Sequence, residues 1–273
     1  MEVIYLTHES EWEDVDHQVM AIGFFESVHL GHQALLKKTK EIADQLGTKS
    51  AAFTFSPHPD EVIKGEINRS YLTPLNDKIN KISQFELDRL YVMKFDKQFA
   101  SLPPLAFIDQ YIVGMNVKHV VVGFDFTFGY KAEGNIRVLK EHAVTKGYQV
   151  TVVPKITFRN EKISSTFIRK LLKEGNVELI PYILGKHYEL KVKLDKVAKG
   201  YYTITTTDKY MIPKSGEYVV SLETYGSRMQ GKLIVTTKND LILQVEELIH
   251  FDHEQRIALN SKLKVKETLL VSL

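Results

Sequence analysis

Two imidazoles three residues apart, His29 and His32, follow directly on an apolar run, and that placement suits chemistry on phosphate. Residues 19–24, Val-Met-Ala-Ile-Gly-Phe, read as a buried strand, and His32-Gln33-Ala34-Leu35-Leu36-Lys37-Lys38 opens a helical pattern. Between them lies Gly23-Phe24-Phe25-Glu26-Ser27-Val28-His29-Leu30-Gly31-His32. A strand, a turn and a helix start of the form His-x-Gly-His offer an anion free backbone N–H groups and the positive end of the helix dipole. The histidines add donors for oxygens that gain charge. Two other readings compete: histidines at this spacing could ligate a metal, or could be ordinary capping and solvated residues. The chain has no cysteine, and no third histidine or carboxylate stands nearby at ligand spacing.

A second constellation is Ser164-Ser165-Thr166-Phe167-Ile168-Arg169, after Ile163. Hydroxyl residues open a helix and Arg169 follows one turn in, so hydroxyls, backbone N–H groups and a guanidinium are offered together, a set suited to a triphosphate tail. Alone, the same segment reads as a Ser/Thr N-cap with a solvated arginine. Ser56-Pro57-His58-Pro59 holds an imidazole between two φ-restricted residues, either a rigid ligand contact or simply a tight turn. In Gly123-Phe124-Asp125-Phe126-Thr127-Phe128-Gly129 the aromatic residues alternate around Asp125, whose carboxylate could hold a ligand hydroxyl or a metal ion. Some of those rings read as a hydrophobic strand end.

These segments need a scaffold, and the pattern supplies one. Apolar strand candidates at residues 19–24, 51–56, 90–95, 119–124 and 149–154 alternate with helical candidates at 32–46, 75–85, 104–115 and 135–146. That order predicts an α/β domain with a doubly wound parallel sheet, and the marked segments fall where such sheets bind ligands, at the carboxyl ends of strands. After Gly185 the texture becomes β-branched and alternating, with strand candidates at 188–197, 201–207, 217–225, 232–237 and 241–251. Turn signals such as Pro213-Lys214-Ser215-Gly216 separate them, which predicts an antiparallel sheet or small barrel. The stretch from Asp252 onward carries no secure assignment, and no internal repeat or low-complexity segment is evident.

With 273 residues, two domains are expected, 1–185 and 186–273. Apolar content of 44% and charged content of 26% are those of an ordinary globular protein. A formal net charge of +2 gives no strong field for nucleic acid or an anionic membrane, so a bound nucleotide is expected to be a small molecule. The lack of cysteine excludes disulfides and fits a reducing compartment. No basic leader and no stretch of roughly 20 apolar residues is seen, so a cytoplasmic protein is expected. The sequence leaves the oligomeric state and the residues of any metal site open.

The ordered set Gly23-Phe24-Phe25…His29-Leu30-Gly31-His32, Thr54-Phe55-Ser56-Pro57-His58-Pro59, Val122-Gly123-Phe124-Asp125-Phe126-Thr127-Phe128-Gly129 and Ile163-Ser164-Ser165-Thr166…Arg169 resembles the bacterial bifunctional riboflavin kinase/FAD synthetase family. The resemblance implies a nucleotidyltransferase domain of the His-x-Gly-His type. Such a domain transfers AMP from ATP to FMN, giving FAD and pyrophosphate with Mg²⁺. It implies an ATP site including Gly23, Phe24, Phe25, His29, Gly31, His32, Ser164, Ser165, Thr166 and Arg169. Within that set His29 and His32 contact the phosphates, and Ser165, Thr166 and Arg169 hold the outgoing pyrophosphate. His29, His32 and Arg169 are thereby the expected catalytic residues, and His58, Pro59, Asp125 and Phe128 the expected flavin contacts.

Departures from the family pattern carry their own expectations. Phe25-Glu26-Ser27 stands where the family has Phe-Asp-Gly, which puts a Cβ at a turn position suited to φ > 0. Phe167 replaces a common arginine. In the second domain, Leu184-Gly185-Lys186-His187-Tyr188-Glu189-Leu190 resembles the entry to the kinase barrel. However, Lys199-Gly200-Tyr201-Tyr202-Thr203-Ile204-Thr205-Thr206-Thr207 replaces the Gly-rich loop and Pro-Thr-Ala-Asn signature, and no match to the segment bearing the kinase's catalytic Glu is recognisable. The expectation is a working FMN adenylyltransferase joined to a degenerate, kinase-like barrel. A catalytically weak or inactive flavin or nucleotide sensor is the main alternative, and a nucleotidyltransferase with another phosphorylated acceptor a third.

Overall fold

The computed structural model describes residues 1–12, 15–224, 227–246 and 254–263. The chain divides into two compact units, one of Met1–Arg69 with Thr73–Ile163, the other of Ser70–Leu72 with Ser164–Leu273. This division falls at Ile163/Ser164, earlier in the chain than residue 185, and assigns the Ser-Ser-Thr segment to the second unit.

The first unit is built on a six-stranded sheet of β1 (Glu2–Leu6), β2 (Gln18–Ile22), β3 (Lys49–Ser56), β4 (Arg89–Lys94), β5 (Val117–Gly123) and β8 (Gln149–Val153). Two-residue strands β6 (Thr127–Phe128) and β7 (Gly134–Asn135) pair with each other, as do β9 (Thr157–Phe158) and β10 (Glu161–Lys162). The sheet order is β1-β4-β3-β2-β5-β8 with every pairing parallel, as the alternating pattern predicts. The helices are α1 (Leu30–Leu46), α2 (Pro59–Ile63), α3 (Leu75–Ser83), α4 (Lys97–Ala100), α5 (Pro104–Phe107) and α6 (Ile136–Lys146). From Ile108 to Val113 the chain continues α5 as a π-helical turn, which divides the single helix expected over 104–115. The strand β1 lies beyond the predicted set; it pairs with β4 from Glu2↔Arg89 to Leu6↔Met93.

Strand alternation sorts the core into two layers. Val19, Ala21, Ala52 and Val121 pack with Leu35, Leu36 and Ala43 of α1 and Ile82 of α3. Their neighbours Met20, Ile22, Phe53 and Val120 face the opposite way, toward Phe107, Ile108, Tyr111, Ile112 and Leu139. Both faces being covered, the central strands are continuous apolar runs rather than alternating ones. Gln18 is the polar exception: its amide donates to the Met115 carbonyl at 2.7 Å and its oxygen accepts from Tyr91 Oη at 3.1 Å, so burial leaves neither group unpaired.

The second unit is a closed antiparallel barrel of β11 (Tyr188–Ala198), β12 (Tyr201–Thr206), β13 (Gly216–Thr224), β14 (Ser227–Val235), β15 (Leu241–Gln244) and β16 (Gln255–Lys262), in the order β11-β12-β15-β14-β13-β16. Alternate residues, among them Tyr188, Leu190, Val220, Leu233, Leu243 and Leu259, are buried. The strand β14 begins five residues before the expected 232, and β16 occupies part of the stretch left unassigned. Tyr225 and residues 247–251, expected as strand, lie outside the described residues. Helices α7 (Ser165–Glu174) and α8 (Pro181–Leu184) precede the barrel, with Lys214 N–H donating to the Leu172 carbonyl at 2.9 Å. Among the described residues no helix is long and apolar enough to cross a membrane.

Phe53 is fully buried, with its ring against Phe55, Tyr91, Phe107 and Tyr111. Phe53→Ala should therefore cost about 3–5 kcal/mol of unfolding free energy in a urea titration. A loss below about 1 kcal/mol would contradict this packing.

Candidate active site

The strand order fixes where a ligand can sit. From β2 the chain winds to one side through β3 and β4, then returns to place β5 on the other side of β2. The loops leaving β2 and β5 therefore diverge, and the gap between them at the strands' carboxyl ends is the switch point of a doubly wound sheet. The histidine segment leaves β2 and the Asp125 segment leaves β5.

The turn after β2 is tight and strained. Gly23 N–H still donates to the Phe53 carbonyl at 3.0 Å, the last bond of the ladder. Phe25 (φ 53), Ser27 (φ 66) and Val28 (φ 49) then take left-handed conformations. For residues with a Cβ, and for a β-branched valine above all, such conformations cost on the order of 1–3 kcal/mol each. Residues 25–28 are buried, and Phe25 meets the His32 ring edge-on at 5.3 Å.

His29 ends the turn and caps α1, its Nδ1 accepting from the His32 N–H at 3.2 Å. The rings of His29 and His32 stack at 3.7 Å with 14° between their planes. Gly31 makes this possible, since a Cβ there would stand 3.1 Å from the His29 ring. The His-x-Gly-His spacing is thus a cap, a stack and the glycine that leaves room for them.

The cap also sets the chemistry. Because His29 Nδ1 accepts a bond, its proton in the neutral ring resides on Nε2, which is left as a donor. Burial pulls the His29 pKa down to about 4, opposed by a hydrogen bond to the residue's own backbone, with Lys162 lowering it and Asp125 raising it to smaller extents. His32 is also pushed well below the usual histidine value, chiefly by burial and then by His29 and Lys78. Both rings are neutral at pH 7, and among the described residues the buried His32 Nδ1 has no hydrogen-bond partner. Two neutral imidazoles at the N-terminus of a helix of 17 residues make a polar, water-poor lining for an anion.

Asp125, in the loop after β5, pairs with Lys162 Nζ, which also stands 4.9 Å from the centre of the Phe124 ring. Lys162 comes from β10 and its charge is felt by His29, so it joins the site as a cation that sequence reasoning passed over. Phe128 lies in the core, 5.2 Å from Phe107 and 5.5 Å from Phe126. His58 caps α2, its Nδ1 accepting from Asp60 N–H at 3.0 Å while Glu61 closes the capping box; Pro59 is the first residue of that helix. The His58 ring meets Phe24 edge-on at 4.4 Å, next to the turn. Among the described residues no group of three or more His, Cys, Asp or Glu side chains could cage a metal ion.

In the second unit, Ser164 caps α7, accepting from Phe167 N–H at 3.2 Å. Arg169 donates to the Ser70 carbonyl at 2.9 Å and approaches Met211 Sδ at 3.6 Å. Ser165 and Thr166 form the first turn of that helix.

A family model described as FAD synthetase matches residues 12–167. A Listeria monocytogenes protein named "Bifunctional riboflavin kinase/FMN adenylyltransferase" is 40% identical over 270 residues, covering 93% of this chain and 85% of the relative. A Bacillus subtilis protein of the same name is also 40% identical, covering 85% of this chain and 76% of the relative. A Listeria monocytogenes protein named "FAD synthetase" is 31% identical, covering 80% of this chain and 86% of the relative. Among solved structures, one titled "Crystal Structure of Macrolide-efflux Protein from Streptococcus pneumoniae" superposes with a TM-score of 0.83 at 22% identity, over 98% of this chain and 94% of that one, a likeness of fold.

Two outcomes follow from the turn and its histidines. Because His29 titrates at about 4 in the folded protein against 6.5 otherwise, the unfolded chain binds more protons between those values. Stability should therefore fall as pH drops from 6.5 toward 4, and urea midpoints across that range should decline less steeply in His29→Gln. Ser27→Gly should raise unfolding free energy by about 0.5–1 kcal/mol, since glycine accepts φ 66 without a Cβ penalty. A destabilised variant in the same urea titration would contradict the strain.

Proposed function

Because this chain belongs to the FAD synthetase family, we propose that it transfers the adenylyl group of ATP to FMN, releasing pyrophosphate and giving FAD. The observation that carries this reading is the stacked, neutral His29–His32 pair at the N-terminus of α1, set at the switch point of the sheet. An oxygen of the FMN phosphate attacks the α-phosphorus of ATP, and the bond from that phosphorus to the α–β bridging oxygen breaks, with pyrophosphate leaving. Such a reaction needs alignment and charge neutralisation more than a strong base. His29 Nε2–H and the free N–H groups of the first turn of α1 offer donors to phosphate oxygens, and Lys162 adds a cation nearby. Ser165 and Thr166, at the start of α7, and Arg169 offer the donor types that hold a pyrophosphate.

Magnesium would arrive with ATP, and its usual requirement of one or two carboxylates beside substrate phosphates fits what the first unit presents. Asp125 is the carboxylate nearest in role, already within the field of His29. When bound, the ion neutralises phosphate charge; the chain's own residues orient the phosphates and exclude water.

The proposal extends to the barrel. The adenylyltransferase part would run to residue 185 and the barrel from 186 would not phosphorylate riboflavin, although relatives carry both activities in their names. Strands β11 and β12 are joined by only two residues, Lys199 and Gly200, with Ala198 paired to Tyr201. A two-residue hairpin has too few free N–H groups to wrap a triphosphate. Tyr202 and Ile204 point into the barrel, and Thr203 and Thr205 are exposed.

Incubating the protein with ATP, Mg²⁺ and either FMN or riboflavin, followed by chromatographic product analysis, tests both halves. FAD from FMN and no FMN from riboflavin is expected, with turnover reduced about 10²-fold in His32→Ala. Undiminished turnover in that variant would remove the histidine pair from the reaction, and FMN formed from riboflavin would restore the kinase.

A further inference from the structure

The first unit buries a cation that the phosphate chemistry above leaves without a task. The inner face of α3 carries Asp77, Lys78, Lys81 and Ile82, all buried. Lys81 Nζ lies 3.3 Å from Thr73 Oγ1. Lys78 Nζ reaches further, donating to the Phe24 carbonyl at 3.1 Å, the Thr54 hydroxyl at 3.1 Å and the Phe55 carbonyl at 3.0 Å. It also stands 4.3 Å from the centre of the Phe24 ring. An ammonium has three protons, and here each meets an acceptor.

The acceptors share a location. Phe55 and Thr54 belong to the end of β3, and Phe24 is where the chain leaves β2 for the histidine turn. The Thr54 hydroxyl itself donates to the Phe24 carbonyl at 2.8 Å, so that one oxygen is gripped from β3 and from α3 together. The next four residues contain three left-handed, non-glycine conformations. Strain of that kind persists only where the surroundings over-determine the backbone, and the Lys78 clamp is the part that fixes its start.

We infer that Lys78 is a positioning residue of the adenylyl-transfer site: its ammonium locks the first peptide of the histidine turn to β3 and so aims α1 and His29 at the phosphates. The inference rests on the function proposed above and deepens it. A second consequence is electrostatic. Burial draws the Lys78 pKa down to about 7, with Glu26 of the turn opposing the shift. Among the described residues, further charged or titratable groups near it are His32 of α1, whose protonation Lys78 disfavours, and Asp77 and Lys81 on its own helix. Near neutral pH the clamp is therefore partly discharged, and an arriving polyphosphate favours its charged, fully bonded form.

Steady-state FAD synthesis by the wild type, Lys78→Met and Lys78→Arg, measured from pH 6 to 9 and normalised to folded protein by circular dichroism, tests this. Lys78→Met should lose at least about tenfold in kcat through misalignment. Wild-type kcat/KM for ATP should decline above about pH 7 as the lysine discharges, and Lys78→Arg should retain part of the activity without that decline. A merely structural lysine would lower thermal stability yet leave kcat per folded molecule and the pH profile unchanged, and that result overturns the inference. So does an alkaline decline shared by wild type and Lys78→Arg, a comparison that decides the matter even if Lys78→Met does not fold. A wild type that makes no FAD overturns the proposed function itself, and this inference with it.

Discussion

The site depends on one constraint: the chain must leave the central strand β2 and enter a 17-residue helix within a few residues, without opening the parallel sheet on either side. Parallel strands need their crossovers packed on the faces, so the turn at the end of β2 is buried and cannot widen. The chain meets that demand with left-handed backbone at Phe25, Ser27 and Val28 and with a histidine as helix cap. Strain in the turn and donors at the helix start are two sides of the same geometry. Phe24, whose carbonyl accepts from Thr54 and Lys78, is the fixed point from which the turn departs.

Charge is arranged around that geometry in a consistent way. The two imidazoles are stacked and buried, so protonating both would place like charges 3.7 Å apart out of water, and both stay neutral. Positive charge comes instead from Lys162, paired with Asp125, and in part from buried Lys78, held by carbonyls and a hydroxyl. A neutral donor pair with flanking cations suits an anion whose charge moves during reaction, because the donors need not reorganise. The barrel contributes a different kind of surface, with its interior filled by residues such as Tyr188, Tyr218 and Leu243.

Much of this was legible in the amino-acid sequence, and the parts that were not have identifiable physical causes. The four inner strands β2, β3, β4 and β5 are apolar runs because both faces are buried, and these runs stand out. The strand β1 has a single neighbour, and exposed Tyr5 with half-exposed Val3 and Ile4 gives no clear period. Helix α1 starts at Leu30 rather than 32 because histidine, an unusual cap, takes the role that serine or aspartate would announce. The segment 108–113 is π-helical, a departure that no local propensity encodes. The five polar-rich residues at the start of β14 carry no apolar alternation of their own and are held by the hairpin with β13, and the short alternation in β16 finds its partners, β11 and β13, only when the barrel closes. At the site, the histidines could be read from spacing and residue type; Ser27 stands out only through the family resemblance, which places a glycine there, and its left-handed φ agrees with that expectation. Lys78 and Lys162 could not, since a lysine in a helix or hairpin reads as solvated until tertiary contacts bury or pair it. Phe128 and His58 show the converse: their immediate contacts are a core and a helix cap.

The central claim is that neutral His29, capped through Nδ1, presents Nε2–H to a phosphate of ATP. Nitrogen-15 spectra of the histidine side chains at pH 7, recorded with and without a non-hydrolysable ATP analogue and Mg²⁺, test it directly. The account predicts a neutral, Nε2-protonated His29 whose Nε2 resonance moves on addition of the analogue. A His29 ring protonated on Nδ1, or resonances of His29 and His32 that do not respond to saturating nucleotide, would contradict it.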